Sequence, residues 1–189
     1  MTLSVNTMAH PSLEELIEKF ETAKQTGEHE QGSPEQLRLH RELAAECPAF
    51  THNLLYLAWL QQAINQPGRS SKDVLSELQQ LLEAAVVGSY RSAQALVELG
   101  NFLDTFRDAP QEAMKLYDEG EQKALATLKD AWFGKLRYWN FERTKESLEK
   151  ALRLGALAEQ LFPESTHLLL EVETTRTYAA QEGLIPSTK

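Results

Sequence analysis

The sequence contains few residues that cross-link a chain or interrupt its regular structure. Its 189 residues include one cysteine, Cys47, which excludes an internal disulfide and a cysteine-rich zinc site. Nine glycines and seven prolines are few for this length. Because a strand-rich fold needs more turns than these residues provide, the composition favours helices. The single cysteine also fits a reducing compartment.

Long apolar runs and an excess of positive charge are also missing. No apolar run approaches the roughly 18 residues that a membrane-spanning helix needs, and no secretory signal is visible at the N-terminus. The net charge is −9, so the chain repels phosphate groups and nucleic acid is not an expected partner. We therefore expect a cytoplasmic protein that binds neither membranes nor nucleic acids.

Apolar residues recur at helical spacing along most of the chain. Between Leu13 and Phe20 they stand at positions i, i+3, i+4 and i+7, which form one face of a helix. The whole pattern predicts an all-α protein of about nine antiparallel helices, which form a single domain over residues 11–183. The polar residues 1–10 and 184–189 show no such period and are predicted to be disordered tails.

Residues that favour helix ends divide this pattern into individual helices. Ser12 is followed three residues later by Glu15, a pair that predicts a capping box at the first helix. Ser33, which is followed by a proline, predicts the start of the second helix. Asp108 and Asp130 are interpreted as the caps of the sixth and seventh helices, so a break between two helices is expected close to Asp130.

The helices are predicted to form repeated pairs. The first helices of successive pairs are expected to start at Thr51, Ser92, Ala131 and Ser165, roughly 34–41 residues apart. A single helical hairpin cannot bury its own apolar face, so a period of this size indicates hairpins that stack on one another.

Residues within these pairs resemble the tetratricopeptide repeat family, whose helices carry small and apolar residues at fixed positions. The resemblance rests on three stretches: Leu96-x2-Leu99-Gly100-x2-Leu103, Ala113-x3-Tyr117-x2-Gly120 and Ala151-x3-Gly155-x2-Ala158-x4-Pro163. It spans roughly residues 33–182 and implies a tetratricopeptide-like α-α superhelix. Gly155 stands where the family usually has an aromatic residue. A generic α-helical bundle with small residues at its helix crossings is the alternative.

The sequence contains no motif of a catalytic, metal or cofactor site. The five histidines are scattered, and no two of them stand four residues apart on one helix. His40 is interpreted as a packing or surface residue, and Cys47 as a small buried apolar residue. We therefore expect no enzyme activity, no metal ion and no cofactor.

Aromatic residues are concentrated in one short stretch. Five of them lie within ten residues, and basic residues are frequent around them: Trp132, Phe133, Tyr138, Trp139 and Phe141. Aromatic residues together with arginine are typical of binding hot spots. Packing of the core is the alternative for part of the cluster, because five side chains at these offsets cannot all face one side of a helix.

The resemblance implies that the first helices of the pairs line a concave groove. It places seven candidate peptide-binding residues there: Tyr56, Trp59, Gln62, Asn101, Phe133, Arg137 and Asn140. Trp139 is the eighth candidate, as an aromatic anchor. Glu98 is expected on the same face and would repel a carboxylate, so the clamp with which some family members hold a chain's C-terminal carboxylate is not expected. A peptide with apolar anchor residues suits the groove better.

These observations favour a non-catalytic protein–protein interaction module. It would be a scaffold or a chaperone-like protein that binds a polypeptide segment of a partner in the groove. One alternative is a structural helical protein that associates with a second copy of itself as a homodimer. A less favoured alternative is a helical protein that binds a small molecule.

Overall fold

The computed structural model describes residues 11–26, 32–64, 66 and 68–186. All regular secondary structure in these residues is helical, which confirms the predicted all-α class. None of the helices that they form is both long enough and apolar enough to span a membrane. The helices of the described residues are α1 (Leu13–Gln25), α2 (Pro34–Glu46), α3 (Thr51–Ala63), α4 (Ser71–Gly88), α5 (Ala93–Arg107), α6 (Pro110–Glu142), α7 (Lys145–Leu161) and α8 (Thr166–Gln181).

The described residues form eight helices, one fewer than expected, because the predicted sixth and seventh helices are a single helix. α6 continues without a break for 33 residues, and both Asp130 and the expected start at Ala131 lie inside it. Residues 121–133 contain neither glycine nor proline and are rich in alanine, leucine and lysine, which favour helix. The predicted cap at Asp130 is therefore wrong. Asp108 is not the cap of the next helix either, because it ends α5 in a left-handed conformation (φ 50°) and α6 begins at Pro110.

Other predicted helix starts are confirmed by hydrogen bonds at their caps. The Ser12 hydroxyl accepts a bond from the Glu15 N–H at 3.2 Å, and the Glu15 carboxylate accepts one from the Ser12 N–H at 2.7 Å. The Ser33 hydroxyl accepts a bond from the Gln36 N–H at 3.1 Å, directly before Pro34. Each bond satisfies a donor that the first turn of a helix leaves unpaired.

The chain divides into two compact units. The N-terminal unit comprises Met1–Glu121 and the C-terminal unit Gln122–Lys189, so α6 begins in one unit and ends in the other. A single domain over 11–183 stays a prediction. The predicted tail 1–10 lies outside the described residues, as do residues 187–189 of the second predicted tail.

Helices of the N-terminal unit pack in chain order, each against the next from α1 to α5. A smaller cluster joins α1 to α2 through Leu16, Phe20 and Leu43. Burial of each large apolar side chain contributes about 1.5–3 kcal/mol, so such clusters dominate the stability of the unit. The main core lies between α3, α4 and α5 and consists of Leu54, Ala58, Leu78, Leu82, Ala85, Val86, Ala95, Leu96, Leu99 and Phe102.

Within the N-terminal unit, α5 approaches the beginning of α6 closely where a glycine faces a tyrosine. A Cβ atom on Gly100 would lie 2.7 Å from Cε1 of Tyr117. The Tyr117 hydroxyl donates a hydrogen bond to the side-chain oxygen of Asn101 at 3.0 Å, which holds the ring over the glycine. A side chain at position 100 would displace this ring, so the glycine of the repeat pattern serves close helix packing.

The C-terminal unit consists of the last part of α6 together with α7 and α8. Its core is made of aliphatic residues: Leu136, Ala151, Ala158, Leu168 and Val172. Gly155 of α7 faces α8, and a Cβ atom on it would lie 3.0 Å from Cγ1 of Val172. An aromatic side chain has no room at this position, so the departure from the family pattern at Gly155 follows from the close approach of α7 and α8.

Candidate functional site

An open groove of about 200 Å³ lies between α3 and α5 in the N-terminal unit. The residues from α3 stand at i, i+3, i+4 and i+7, so they share one helix face. α3 and α5 are the first helices of two successive predicted pairs, and the groove therefore lies where the resemblance places a binding surface. Its lining residues are His52, Leu55, Tyr56 and Trp59 of α3 and Gln94 and Glu98 of α5.

Trp59 presents an exposed aromatic surface at this groove. The residue is 47% exposed, and its ring lies against Tyr56 with the two ring centroids 5.5 Å apart. Tryptophan and tyrosine supply large contact areas at protein interfaces and lose little side-chain freedom when they bind. The pair thus has the geometry of an aromatic anchor for a partner.

Tyr56 is supported by side chains from α1 and α2. Its ring centroid lies 4.7 Å from that of His40 and 5.6 Å from that of Phe20. Its hydroxyl oxygen accepts a hydrogen bond from the side-chain amide of Gln36 at 3.3 Å. These contacts connect the groove wall to the interior of the unit, so the aromatic surface is already ordered before any ligand binds.

His40 is a fully buried histidine that joins α2 to α3 beneath the groove. Its Nδ1 lies 2.7 Å from Oδ1 of Asn53, and the Asn53 side-chain amide donates to the His40 carbonyl at 3.0 Å. Because this oxygen of Asn53 can only accept, His40 carries its proton on Nδ1. Burial lowers the pKa of His40 below its ordinary value, although the hydrogen bond to Asn53 opposes that shift. His40 is therefore neutral at pH 7, and packing is the role that these contacts support.

The groove carries negative charge at its α5 side. Among the described residues that line it, Glu98 is the one carboxylate, and none of them is a lysine or an arginine. A ligand carboxylate at this position would be repelled by Glu98. A lysine or arginine beside an apolar residue would instead be attracted, because opposite charges steer and orient partners at an interface.

The structure places the predicted residues of the N-terminal unit in three different surroundings. Tyr56 and Trp59 line the groove. Gln62 lies one turn later on α3, where it lines a second cleft. Asn101 is exposed on α5, where it accepts the hydrogen bond from Tyr117, and it does not line the groove.

In the C-terminal unit, most of the predicted residues face the interior. Phe133 and Trp139 are half-buried against the aliphatic core. Asn140 is 6% exposed, and its side-chain amide donates to the carbonyl and to the carboxylate of Glu171, both at 3.0 Å. Arg137 is exposed. A peptide-binding role for these four residues stays a prediction, and Arg137 is the accessible member of the set.

The aromatic stretch of α6 divides between core and surface. Trp132, like Phe133 and Trp139, packs against the core, whereas Tyr138 and Phe141 are exposed. Packing of the core, the alternative considered for part of this stretch, therefore accounts for three of its five aromatic residues.

Two groove residues were missed by the sequence reasoning, namely His52 and Gln94. A helical period would have found both. His52 stands seven residues before Trp59 and Gln94 stands four before Glu98, so each lies on the same helix face as a residue that was predicted to face the groove.

Helical hairpins with a groove between successive first helices define a helical-repeat protein, and comparison with known proteins agrees. Residues 8–90 match the Myxococcota tetratricopeptide repeat protein family. The chain is also similar to a Myxococcus xanthus protein described as an uncharacterized 18.1 kDa protein in the carS 3′ region, with 33% identity over 174 residues. That alignment covers 92% of this chain and 97% of the relative. No solved structure matches the chain at a significant level. The chain belongs to the Myxococcota tetratricopeptide repeat protein family.

Membership of this family confirms the resemblance that the repeat pattern indicated. Repeats of the tetratricopeptide type are in general protein-interaction modules and are typically non-catalytic. The matched residues 8–90 include α1 to α4, and therefore the α3 side of the groove with Tyr56 and Trp59.

Proposed function

We propose that this protein binds a polypeptide segment of a partner protein in the groove between α3 and α5, and that it acts as a non-catalytic scaffold or chaperone-like module. The observation that carries the proposal is the exposed ring of Trp59, which lies in the groove on an ordered support formed by Tyr56. A surface of this kind concentrates binding energy in a few residues, as hot spots do.

The lining of the groove defines the chemistry of the segment. Leu55, Tyr56 and Trp59 form an apolar wall for an apolar or aromatic anchor residue, while Glu98 attracts a basic residue beside that anchor. Small-molecule sites usually enclose about 300–1,000 Å³. The groove is smaller than that and open, which suits one side chain of a bound segment better than a complete small molecule.

Residues outside the groove would extend the contact. Gln62 and Asn101 have exposed side chains in the same unit, and we include both in the proposed contact with the partner. Arg137 is exposed in the C-terminal unit and stays a separate candidate for peptide binding. Phe133, Trp139 and Asn140 are held largely in the interior of the C-terminal unit, so the proposal does not depend on them.

Truncation of Trp59 tests the proposal. Partners captured from native lysate are cleaved into overlapping peptides, and the peptide that binds the wild-type protein is labelled for a fluorescence-polarisation titration. Trp59→Ala is expected to weaken the affinity at least tenfold, because truncation of a central aromatic anchor costs about 2 kcal/mol or more. A Glu98→Lys variant should lose affinity for a segment that carries a basic residue.

Tyr90→Ala is the matched control for this experiment. Tyr90 is an almost fully exposed aromatic residue of the same unit, and it does not line the groove. Its truncation should leave the affinity unchanged. The groove assignment is wrong if Trp59→Ala binds the peptide as tightly as Tyr90→Ala does.

Self-association is a second candidate function, and exposed leucines of the C-terminal unit favour it. Leu157 and Leu161 lie four residues apart on α7, so they share a face, and Leu170 is exposed on α8. Light scattering coupled to size-exclusion chromatography measures the molar mass directly. A dimer that Leu157→Glu dissociates would support this candidate, and a monomer at high protein concentration would exclude it.

A further inference from the structure

A second cleft lies in the N-terminal unit, where α3 ends and α4 begins. It encloses about 340 Å³, which is near the lower end of the range of about 300–1,000 Å³ for small-molecule sites. Val74, Leu75 and Leu78 of α4 and Phe106 of α5 form its apolar wall. Ile64 adds an apolar side chain directly after α3, and polar side chains from α3, from the following loop and from the first residue of α4 form the rest of the lining.

Gln61, one of the lining residues of this cleft, carries a buried amide. The residue is 2% exposed, and neither its Nε2 nor its Oε1 has a hydrogen-bond partner among the described residues. Folded proteins pair nearly all of their buried side-chain polar groups, because an unpaired one retains the full penalty of its removal from water. An unpaired amide in the lining of a cleft therefore indicates a site for a ligand that completes its bonds.

Gln66 adds a donor whose orientation is determined by its neighbours. Its Oε1 accepts hydrogen bonds from the guanidinium groups of Arg41 at 2.9 Å and Arg69 at 3.1 Å. Guanidinium groups only donate, so the oxygen and not the nitrogen of Gln66 must face them. Its Nε2 is buried and has no partner among the described residues, although it belongs to a residue that lines the cleft.

The charged groups at the cleft are paired with one another. Arg69 is the one charged residue among the described residues of the lining, and it lies 2.5 Å from the carboxylate of Glu77. Arg41 donates to the same carboxylate at 3.0 Å. Because both arginines are occupied by Glu77 and Gln66, the cleft does not require a charged ligand.

We propose that this cleft binds an amide group that is joined to an apolar side chain. A primary amide carries one N–H on the same edge as its C=O, and one residue of an extended peptide directs its own N–H and C=O to the same side, so either edge complements the acceptor and donor of Gln61. The side-chain Nε2 of Gln66 donates a hydrogen bond to the second lone pair of the ligand carbonyl oxygen. The wall of Val74, Leu75, Leu78 and Phe106 accommodates an aliphatic chain about the size of one leucine side chain.

The ligand can come from two sources, which two probes distinguish. The first probe is 4-methylpentanamide, a small molecule, and the second is a pentapeptide with leucine at its centre and glycine elsewhere. The methyl ester of 4-methylpentanoic acid is the matched negative probe, because it keeps the apolar chain and lacks the N–H donors. Each is titrated into ¹⁵N-labelled full-length protein, and the side-chain amide resonances of Gln61 and Gln66 are followed.

Saturable shifts of both side-chain amides with the small amide, with the peptide or with both are the expected result, and the tighter probe identifies the source. Gln61→Leu keeps a similar volume and removes both hydrogen-bonding groups, so it should weaken binding about tenfold or more. Gln80→Leu is the control, since Gln80 is exposed on α4 and does not line the cleft. Phe106→Ala, at an exposed position, should weaken binding severalfold through the apolar wall.

The site assignment is overturned by either of two results. One is that neither amide probe shifts the resonances of Gln61 and Gln66 more than the ester does. The other is that Gln61→Leu binds the probes as Gln80→Leu does. Trp59→Ala should leave these titrations unchanged, so failure of the groove proposal and failure of this one are distinguishable.

Discussion

The two units differ in whether their buried polar side chains have hydrogen-bond partners. In the C-terminal unit, the amide of Asn140 donates to Glu171, and its oxygen accepts a bond from the Thr175 hydroxyl at 2.8 Å. The buried Ser147 hydroxyl likewise bonds to the Thr144 carbonyl at 2.9 Å. Such completed networks hold helices in one arrangement and leave no group for a ligand.

The N-terminal unit keeps buried groups that its own side chains do not complete. Among the described residues, the buried side-chain atoms without a hydrogen-bond partner belong to Gln36, His40, Gln61 and Gln66, all of them in this unit. Since such groups are unfavourable for folding alone, the two of these residues that line the cleft, Gln61 and Gln66, support the placement of that site in this unit.

The tryptophans of the two units also differ in whether they are exposed or packed against the core. Trp59 is exposed at a groove, whereas Trp132 and Trp139 pack against the core of the C-terminal unit. The stretch richest in aromatic residues is thus largely structural, and a single tryptophan in a less conspicuous stretch lies at the candidate binding surface. A high density of aromatic residues in a sequence indicates that apolar surface will be buried. Only the positions of these side chains in the structure show whether they are buried in the protein's own core or are exposed to a partner.

The largest expected effect comes from the aliphatic core of the C-terminal unit. Leu136→Ala should lower the free energy of unfolding by about 2–5 kcal/mol, because it removes a fully buried side chain and leaves a cavity. Urea denaturation followed by circular dichroism measures the change. Leu170→Ala, at an exposed position, should change the value by less than about 0.5 kcal/mol. Similar losses in both variants would contradict the assignment of Leu136 to the core.

A smaller effect is expected from the buried pair of the N-terminal unit. Asn53→Ala leaves Nδ1 and the carbonyl of His40 without their partner, which should cost about 1–3 kcal/mol of folding free energy. Denaturation at pH 7.5 measures the loss. Gln80→Ala, at an exposed position on α4, is the control and should have little effect. If both variants are equally stable, the buried pair does not stabilise the contact between α2 and α3.

The stability of the N-terminal unit should also depend on pH through His40. Its pKa is lowered by burial in the folded protein, so the unfolded chain binds the proton first as the pH falls. The stability that neutral His40 contributes to the folded protein is therefore complete above the unfolded-state pKa of about 6.5. It is lost as the pH falls from there through the folded-state pKa. One proton allows a slope of at most about 1.4 kcal/mol per pH unit.

Denaturation between pH 8 and pH 5.5, with hydrogen exchange to separate the units, checks this dependence. The double variant His40→Leu with Asn53→Leu removes the titrating group and its partner together, so it should flatten the profile of the N-terminal unit. Amide protons of the C-terminal unit should show no such slope. An unchanged profile in the double variant would exclude His40 as its origin.

The smallest expected effect on stability comes from replacing a glycine by alanine, and its sign is expected to differ between two glycines. A Cβ atom on Gly134 of α6 would meet no atom within 4 Å, so Gly134→Ala should stabilise the protein by about 0.5–1 kcal/mol through helix propensity. Gly100→Ala should destabilise it, because the new Cβ displaces the ring of Tyr117. Thermal denaturation measures both shifts. Stabilisation by both substitutions would show that the close approach at Gly100 is not needed.

Much of the fold could be predicted because its signals are local. The caps at Ser12 and Ser33 bond to residues three positions away, so four consecutive residues of the sequence contain the whole interaction. The prediction at Asp130 was wrong because an aspartate, although it favours the start of a helix, does not interrupt a helix when the residues on both sides of it favour helix. Tyr56 and Trp59 were placed at the groove by the repeat pattern, which carries tertiary information that a single helix does not.

The sequence by itself determined the all-α class, most of the helix ends and the role of Gly100 in close helix packing, because helix periodicity, caps and small residues act within one or two turns. The tertiary structure alone decided that Trp139 supports a core while Trp59 is exposed, and that the Gln61 amide is buried beside a cleft without a partner. These outcomes depend on side chains from helices distant in sequence, and burial is a property of that packing.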